Sequence, residues 1–254
     1  MDLKTYQLRR QAQAEVEQAR FRSLCATCLQ PHSNCYCAGI KKFDCKINFV
    51  ILIHPIEVKR RIATGRMSHL CLENSHLLMG QDYSENRVIN DILQDPQKQS
   101  VILYPGLNSL NLTEMTSGER SELFLPNKDL CVFVIDGTWN TARKMLRLSH
   151  NLHGLPRVSF VPSRPSNFQV RKQPREGCYS TIEAIHETIE LLGPGRGYHV
   201  ASRQHDNLLE VFDGLVRHQL QHIQQAHQTK TLSRHRLSQQ SRQEAGQRPS
   251  KKSA

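Results

Sequence analysis

The sequence predicts an α/β fold built on a mostly parallel sheet, and three features carry that expectation. Four short runs rich in β-branched residues follow one another: Ile47 to Ile53, Val101 to Tyr104, Cys131 to Ile135 and Val158 to Val161. Each is apolar almost throughout, as strands buried on both faces of a parallel sheet must be, whereas strands with one wet face would alternate. Helix-like segments separate the runs, the order of a sheet whose strands are joined by helical crossovers. The first three runs end in polar or Gly-containing turns, His54-Pro55, Pro105-Gly106 and Asp136-Gly137. Those turns fall at the carboxyl ends of the strands, where open α/β sheets bind ligands.

Taken in order, residues 1–24 are rich in Gln, Glu, Ala and Arg, with Leu3, Leu8, Ala12 and Val16 in an irregular apolar stripe, and read as a surface helix. A cysteine-rich segment follows over residues 25–45, then the α/β domain over residues 46–228. Within that domain Ser180-Thr181-Ile182-Glu183 reads as a capping box opening a helix that continues through Ile185, Ile189 and Leu192 to Gly193-Pro194. Leu208, Val211, Phe212, Leu215, Leu220 and Ile223 predict a second amphipathic helix from about Asp206 to Ala226. Residues 229–254 read as a disordered basic tail, because from Lys230 onward seven Lys and Arg face Glu244 alone and large apolar residues are nearly absent. No internal repeat is visible.

With 254 residues, the chain can bury one substantial core plus appendages. Lys and Arg number 34 against 23 Asp and Glu, a formal charge of +11, so a polyanion is the expected partner, nucleic acid ahead of a membrane surface. No stretch approaches the roughly 18 apolar residues of a membrane span, and the N-terminus carries no apolar signal segment, so a cytoplasmic protein without membrane attachment is expected.

Of eight cysteines, Cys45, Cys71, Cys131 and Cys178 are scattered, while Cys25, Cys28, Cys35 and Cys37 fall within thirteen positions. Thiolates bind zinc tetrahedrally, and a Cys-x-x-Cys turn brings two sulfurs to one ion; Pro31, Ser33 and Asn34 supply the bend before the second pair. Buried thiols or a redox pair are the competing readings, but a polar stretch has no core for four cysteines to fill. Four thiolates would close the shell of a structural zinc. His32 and Cys45 are spare donors.

Asp136-Gly137-Thr138-Trp139, followed by Ala142 and Lys144-Met145, joins an acid, a flexible Gly, a hydroxyl and the chain's one tryptophan where a buried strand passes into a helix. Helix capping by Thr138 or Asp136 competes with a chemical role, with Trp139, Ala142 and Met145 packing inward at helical spacing.

These residues resemble the DTW-domain family, named for a D-x-T-W motif. The resemblance extends to the four clustered cysteines, His54-Pro55-x-Glu57 with Arg61, Thr64-Gly65-Arg66, Tyr104-Pro105-Gly106, the segment through Met145, and Arg171-Lys172 leading to Ser180-Thr181-Ile182-Glu183-Ala184. It implies a SPOUT-like fold with a C-terminal knot holding S-adenosylmethionine, residues 46–228 being the catalytic domain. It also implies transfer of the 3-amino-3-carboxypropyl group to a tRNA uridine, which in bacterial members lies in the variable loop, with methylthioadenosine as by-product.

On that resemblance Asp136, Thr138 and Trp139 form the catalytic set, Asp136 accepting or orienting the proton of the attacking ring nitrogen. Tyr104, Pro105, Gly106, Gly137, Ser180 and Thr181 would hold the cofactor, and His54, Glu57, Arg61, Arg66, Arg171 and Lys172 would contact RNA or substrate. The partner implied is tRNA, with no protein partner. A SPOUT-like methyltransferase and a non-catalytic zinc-dependent RNA-binding module are the alternatives.

Overall fold

The computed structural model describes residues 23–58, 60, 62–106, 108–170 and 178–228. Apart from Ser23 and Leu24, the helix expected over residues 1–24 lies outside the described residues, as does the basic tail. Six strands, β1 (Asn48–Ile53), β2 (Ser75–Met79), β3 (Lys98–Leu103), β4 (Ser109–Asn111), β5 (Asp129–Asp136) and β6 (Arg157–Ser159), form one sheet in the order β2-β1-β5-β3-β6-β4. Every neighbouring pair is parallel, as the apolar runs predict. The helices are α1 (Pro55–Val58), α2 (Thr64–Cys71), α3 (Arg87–Gln94), α4 (Ser117–Glu122), α5 (Trp139–Leu148), α6 (Thr181–Leu192) and α7 (Asp206–Gln228).

Successive strand residues point to opposite faces, so a strand covered on both sides has no position left for a polar side chain. Phe49 and Ile51 of β1 join Val132 and Val134 of β5 in one core, covered by Met67 of α2, Ile185 of α6 and Phe212 of α7. Val50 and Leu52 join Cys131 and Phe133 in the other, covered by Ile89 of α3 and Met145 of α5. The apolar runs do not include β2 and β4, which form the two sheet edges with mixed exposure and so need no continuous apolarity. The fourth run is shorter than expected: β6 ends at Ser159 and Val161 is exposed.

The capping box at Ser180 forms, the Glu183 carboxylate accepting the Ser180 backbone N–H at 2.8 Å, and α7 covers the expected second helix. After β6, the chain crosses back so that α6 packs against β5 and α2. The cysteine segment, two single turns at His32–Asn34 and Cys37–Gly39, docks on α7. There the Asn207 side chain donates to Gly39 O at 2.9 Å and accepts from Lys41 N at 2.8 Å. Among the described residues no helix is long and apolar enough to cross a membrane.

Candidate functional site

The carboxyl ends of β1 and β5 lie side by side, Ile53 opposite Asp136, and His54 N donates to Asp136 O at 3.0 Å. Asp136, only 5% exposed, meets two helix beginnings. Thr181 Oγ1 of α6 donates to its Oδ1 at 2.6 Å, and Gly65 N of α2 donates to Oδ2 at 3.1 Å, with Thr64 Oγ1 3.5 Å from Oδ1. Exposed N–H groups and aligned peptide dipoles make such ends favourable for negative charge. Gly65 is required by this approach, since a Cβ there would fall 2.5 Å from Asp136 Oδ2.

Thr138 caps α5, its Oγ1 accepting Thr141 N–H at 3.2 Å, so the capping reading holds for Thr138. Ala142 and Met145 pack inward, but Trp139 does not: it is 43% exposed at the first position of α5. Its ring lies edge-on to Tyr104, centroids 6.3 Å apart, with the Arg157 guanidinium 5.8 Å from the Tyr104 centroid. Burial raises the Tyr104 phenol above its usual range. Gly106, next to Arg157, is held by Ser109 Oγ, which donates to Gly106 O at 2.8 Å.

His54 and Glu57 are buried, His54 Nδ1 accepting from Ile56 N and Glu57 pairing with Arg60 at 3.1 Å. Burial, with Lys144 nearby, holds His54 below the ordinary histidine range. Arg66 is half-buried, and its charge acts on Tyr36 of the cysteine segment. Arg61, Arg171 and Lys172 lie outside the described residues.

Glu183 does more than cap α6. Its carboxylate also accepts from Ser166 Oγ and Asn167 N, each at 2.8 Å, while Glu187 one turn on accepts from Ser163 Oγ at 2.9 Å. The segment after β6 is thereby pinned to the helix that carries Thr181. Nothing local in the sequence announces those pairings.

The four clustered cysteines converge. Cys25 and Cys37 sulfurs are 3.8 Å apart, Cys28 and Cys35 sulfurs 3.7 Å, and all four lie within 4.8 Å of one another. A disulfide requires about 2.05 Å, so these are thiols able to surround a metal ion. Backbone N–H groups of Cys28 and Thr27 hold the Cys25 thiol down to about 6. Cys45 stays apart, donating to Ile47 O at 3.4 Å, and burial pushes its thiol up to about 12. A second group able to hold a metal, not anticipated from the sequence, joins His186, Glu190, His205 and Asp206.

The arrangement defines a class: a parallel α/β protein whose strand ends converge on a buried carboxylate, with a metal-competent cysteine cage docked alongside. Residues 22–220 match the family model described as DTW domain, and the chain belongs to that family. It is 30% identical over 178 residues to tRNA-uridine aminocarboxypropyltransferase 2 of Drosophila melanogaster, covering 67% of each chain. Against the Mus musculus protein of the same name it is 27% identical over 212 residues, covering 82% of this chain and 67% of the relative. The Macaca fascicularis protein of that name is also 27% identical, over 218 residues with the same coverage. No solved structure matches the chain.

Proposed function

We propose that the protein transfers the 3-amino-3-carboxypropyl group of S-adenosylmethionine to the ring nitrogen N3 of a tRNA uridine in the variable loop, in the cytoplasm. The observation that carries this reading is the Asp136 carboxylate, seated at a strand end between the first turns of α2 and α6. The names of the relatives support the substrate and the group transferred.

Residues 46–228 form the catalytic domain, read as SPOUT-like with a C-terminal knot; the parallel sheet and the return of the chain from β6 to α6 support that reading. When bound, adenosylmethionine supplies a sulfonium whose aminocarboxypropyl carbon is open to attack. The uridine N3 would displace methylthioadenosine from that carbon, the N3–C bond replacing the C–S bond and the sulfur keeping its electron pair. The N3 proton passes toward Asp136 and on to water. Fixed by a hydroxyl and an amide, Asp136 orients that proton and stabilises positive charge developing at N3. Thr138 shapes the turn and Trp139 offers an exposed ring to a base. Tyr104, Pro105, Gly106, Gly137, Ser180 and Thr181 surround the cofactor, and His54, Glu57, Arg61, Arg66, Arg171 and Lys172 support RNA or substrate.

Cys25, Cys28, Cys35 and Cys37 hold a structural zinc. Their sulfur separations of 3.7 and 3.8 Å agree with the edge of about 3.8 Å that a tetrahedron of Zn–S bonds near 2.3 Å generates.

Mass spectrometry of nucleosides from tRNA incubated with the protein and S-adenosylmethionine tests this reading. The expected products are aminocarboxypropyluridine and methylthioadenosine, reduced about a hundredfold or more in Asp136→Ala. Gly65→Ala should reduce them too, because its Cβ displaces the carboxylate. A methylated nucleoside with adenosylhomocysteine would replace the reading with a methyltransferase. Zinc-loaded protein that binds tRNA but neither adenosylmethionine nor product chemistry would make it a binding module.

A further inference from the structure

The outer face of α5 carries Asn140, Arg143, Lys144 and Arg147 at helical spacing i, i+3, i+4 and i+7, and these four line an open depression of about 400 Å³. All three cations are exposed. Some exposed cations elsewhere are neutralised, Lys46 by Asp44, Arg87 by Asp91, and Arg203 by Glu190 and Asp206. Arg143 instead donates to Asn140 Oδ1 at 2.9 Å, and among the described residues no carboxylate pairs with Arg143, Lys144 or Arg147. Like charges one helical turn apart repel one another, so Arg143, Lys144 and Arg147 together make a face of concentrated positive charge beside the Asp136 turn.

We propose that this face of α5 grips the phosphodiester backbone of the tRNA, a surface role that rests on the transferase reading above. Arg143 and Arg147 are one helical turn apart, about 6 Å along the axis, a separation that suits neighbouring phosphates. The helix leads directly out of the Asp136 turn, and Lys144 acts on His54, whose backbone N–H donates to Asp136 O. RNA lying along α5 therefore passes the exposed Trp139 ring and reaches the strand ends with a nucleotide beside Asp136. Such contacts position the RNA and carry no sequence information, so the choice of uridine resides elsewhere.

The test measures binding of an unmodified tRNA transcript to the full-length protein by fluorescence anisotropy over a range of KCl concentrations. A triple variant, Arg143→Ala with Lys144→Ala and Arg147→Ala, is compared with a control carrying Lys46→Ala, Arg87→Ala and Arg217→Ala, which removes equal charge from other exposed sites. Alanine is helix-favouring, so α5 should persist. The α5 variant should lose about ten- to a hundredfold in affinity at low salt, with a logarithmic salt slope shallower by about two to three. The control should change by less than about threefold.

Equal losses in both variants, or none in the α5 variant, would overturn the proposal, as would failure of the wild type to bind tRNA. Calorimetric binding of adenosylmethionine, expected to be unchanged, checks that the site is intact. Absence of any nucleoside product from wild type would instead overturn the transferase reading and leave the anisotropy comparison to decide the binding surface.

Discussion

Among the described residues two groups of side chains have the composition of a metal site, and they solve the problem of concentrated charge in opposite ways. In the cysteine cage four sulfurs stand 3.7 to 3.8 Å apart where measured as pairs, the edge length of a tetrahedron of thiolates about one ion. In the second group the contacts are shorter and are direct donor-to-acceptor pairs: His186 Nε2 to Asp206 Oδ1 at 2.9 Å, and His205 Nε2 to Glu190 Oε1 at 2.8 Å. Arg203, with a left-handed φ of 54°, brings its guanidinium onto both carboxylates, reaching Asp206 Oδ1 at 2.6 Å and also bonding Glu190. A tetrahedral ion with bonds near 2.05 Å would need its donors about 3.3 Å apart. The cation of the second group is thus already present as an arginine. Closeness of donor residues therefore says less about metal than the spacing of donor atoms and the charge already among them.

The largest expected effect breaks the cage. Cys28 is 1% exposed, and Cys28→Ser should remove the metal and unfold residues 23–45, withdrawing apparent binding free energy on the order of 10 kcal/mol from that segment. Elemental analysis should find one zinc per chain in the wild type and almost none in the variant. His205→Ala should leave the single equivalent in place. Two equivalents in wild type, or loss of zinc from the His205 variant, would erase the distinction between the two groups.

A smaller effect is expected from Arg203→Met, which leaves Glu190 and Asp206 facing each other without their cation. Arg203 is 51% exposed, so solvent screens part of the loss, and destabilisation of about 1–3 kcal/mol is expected in urea. Its pH dependence sharpens the point. Burial works against the charged forms of Glu190 and Asp206, but hydrogen bonds from His205 and Arg203 to Glu190, and from Arg203 and His186 to Asp206, win and hold both below ordinary carboxylates. Groups depressed on folding contribute stability that is present above their unfolded values and lost as pH falls through the folded ones. Wild type should therefore lose this contribution below about pH 4, whereas Arg203→Met should show a smaller acid loss because it never had the full contribution. An unchanged acid profile would show that Arg203 does not neutralise the pair.

The two groups also differ in how readable they are. The cage lies within thirteen consecutive positions, so spacing alone exposes it, and the buried strands are legible because two-sided burial removes every polar position from their interiors. Residues 186, 190, 203, 205 and 206 meet only because α6 packs on α7, and Asp136 meets Gly65 and Thr181 across 71 and 45 positions. Periodicity carries no information about such meetings. The same limit hides β2 and β4, whose edge positions relax the demand for apolar residues, and Trp139, which stands at the helix position expected for a packed residue yet remains exposed.

Asp136 represents a third arrangement, a buried carboxylate held by a hydroxyl and an amide from helix starts, and it extends the comparison to the site of chemistry. Thr181→Val removes the donor 2.6 Å from Oδ1 while nearly conserving shape. The loss of one hydrogen bond to a charged acceptor should cost about 1–2 kcal/mol, less than the upper range for Arg203→Met, because Gly65 N–H and the helix ends remain. In product formation that corresponds to about a tenfold decrease, expected in the rate at saturating tRNA rather than in the tRNA concentration needed, since Thr181 belongs to the carboxylate cradle and the α5 cations to the RNA grip. Thr181→Ser, which restores the hydroxyl, should recover most of the rate. A Thr181→Val enzyme of full activity, or a serine variant as impaired as the valine one, would mean that the hydroxyl does not position Asp136 and that the carboxylate is held by its remaining contacts alone.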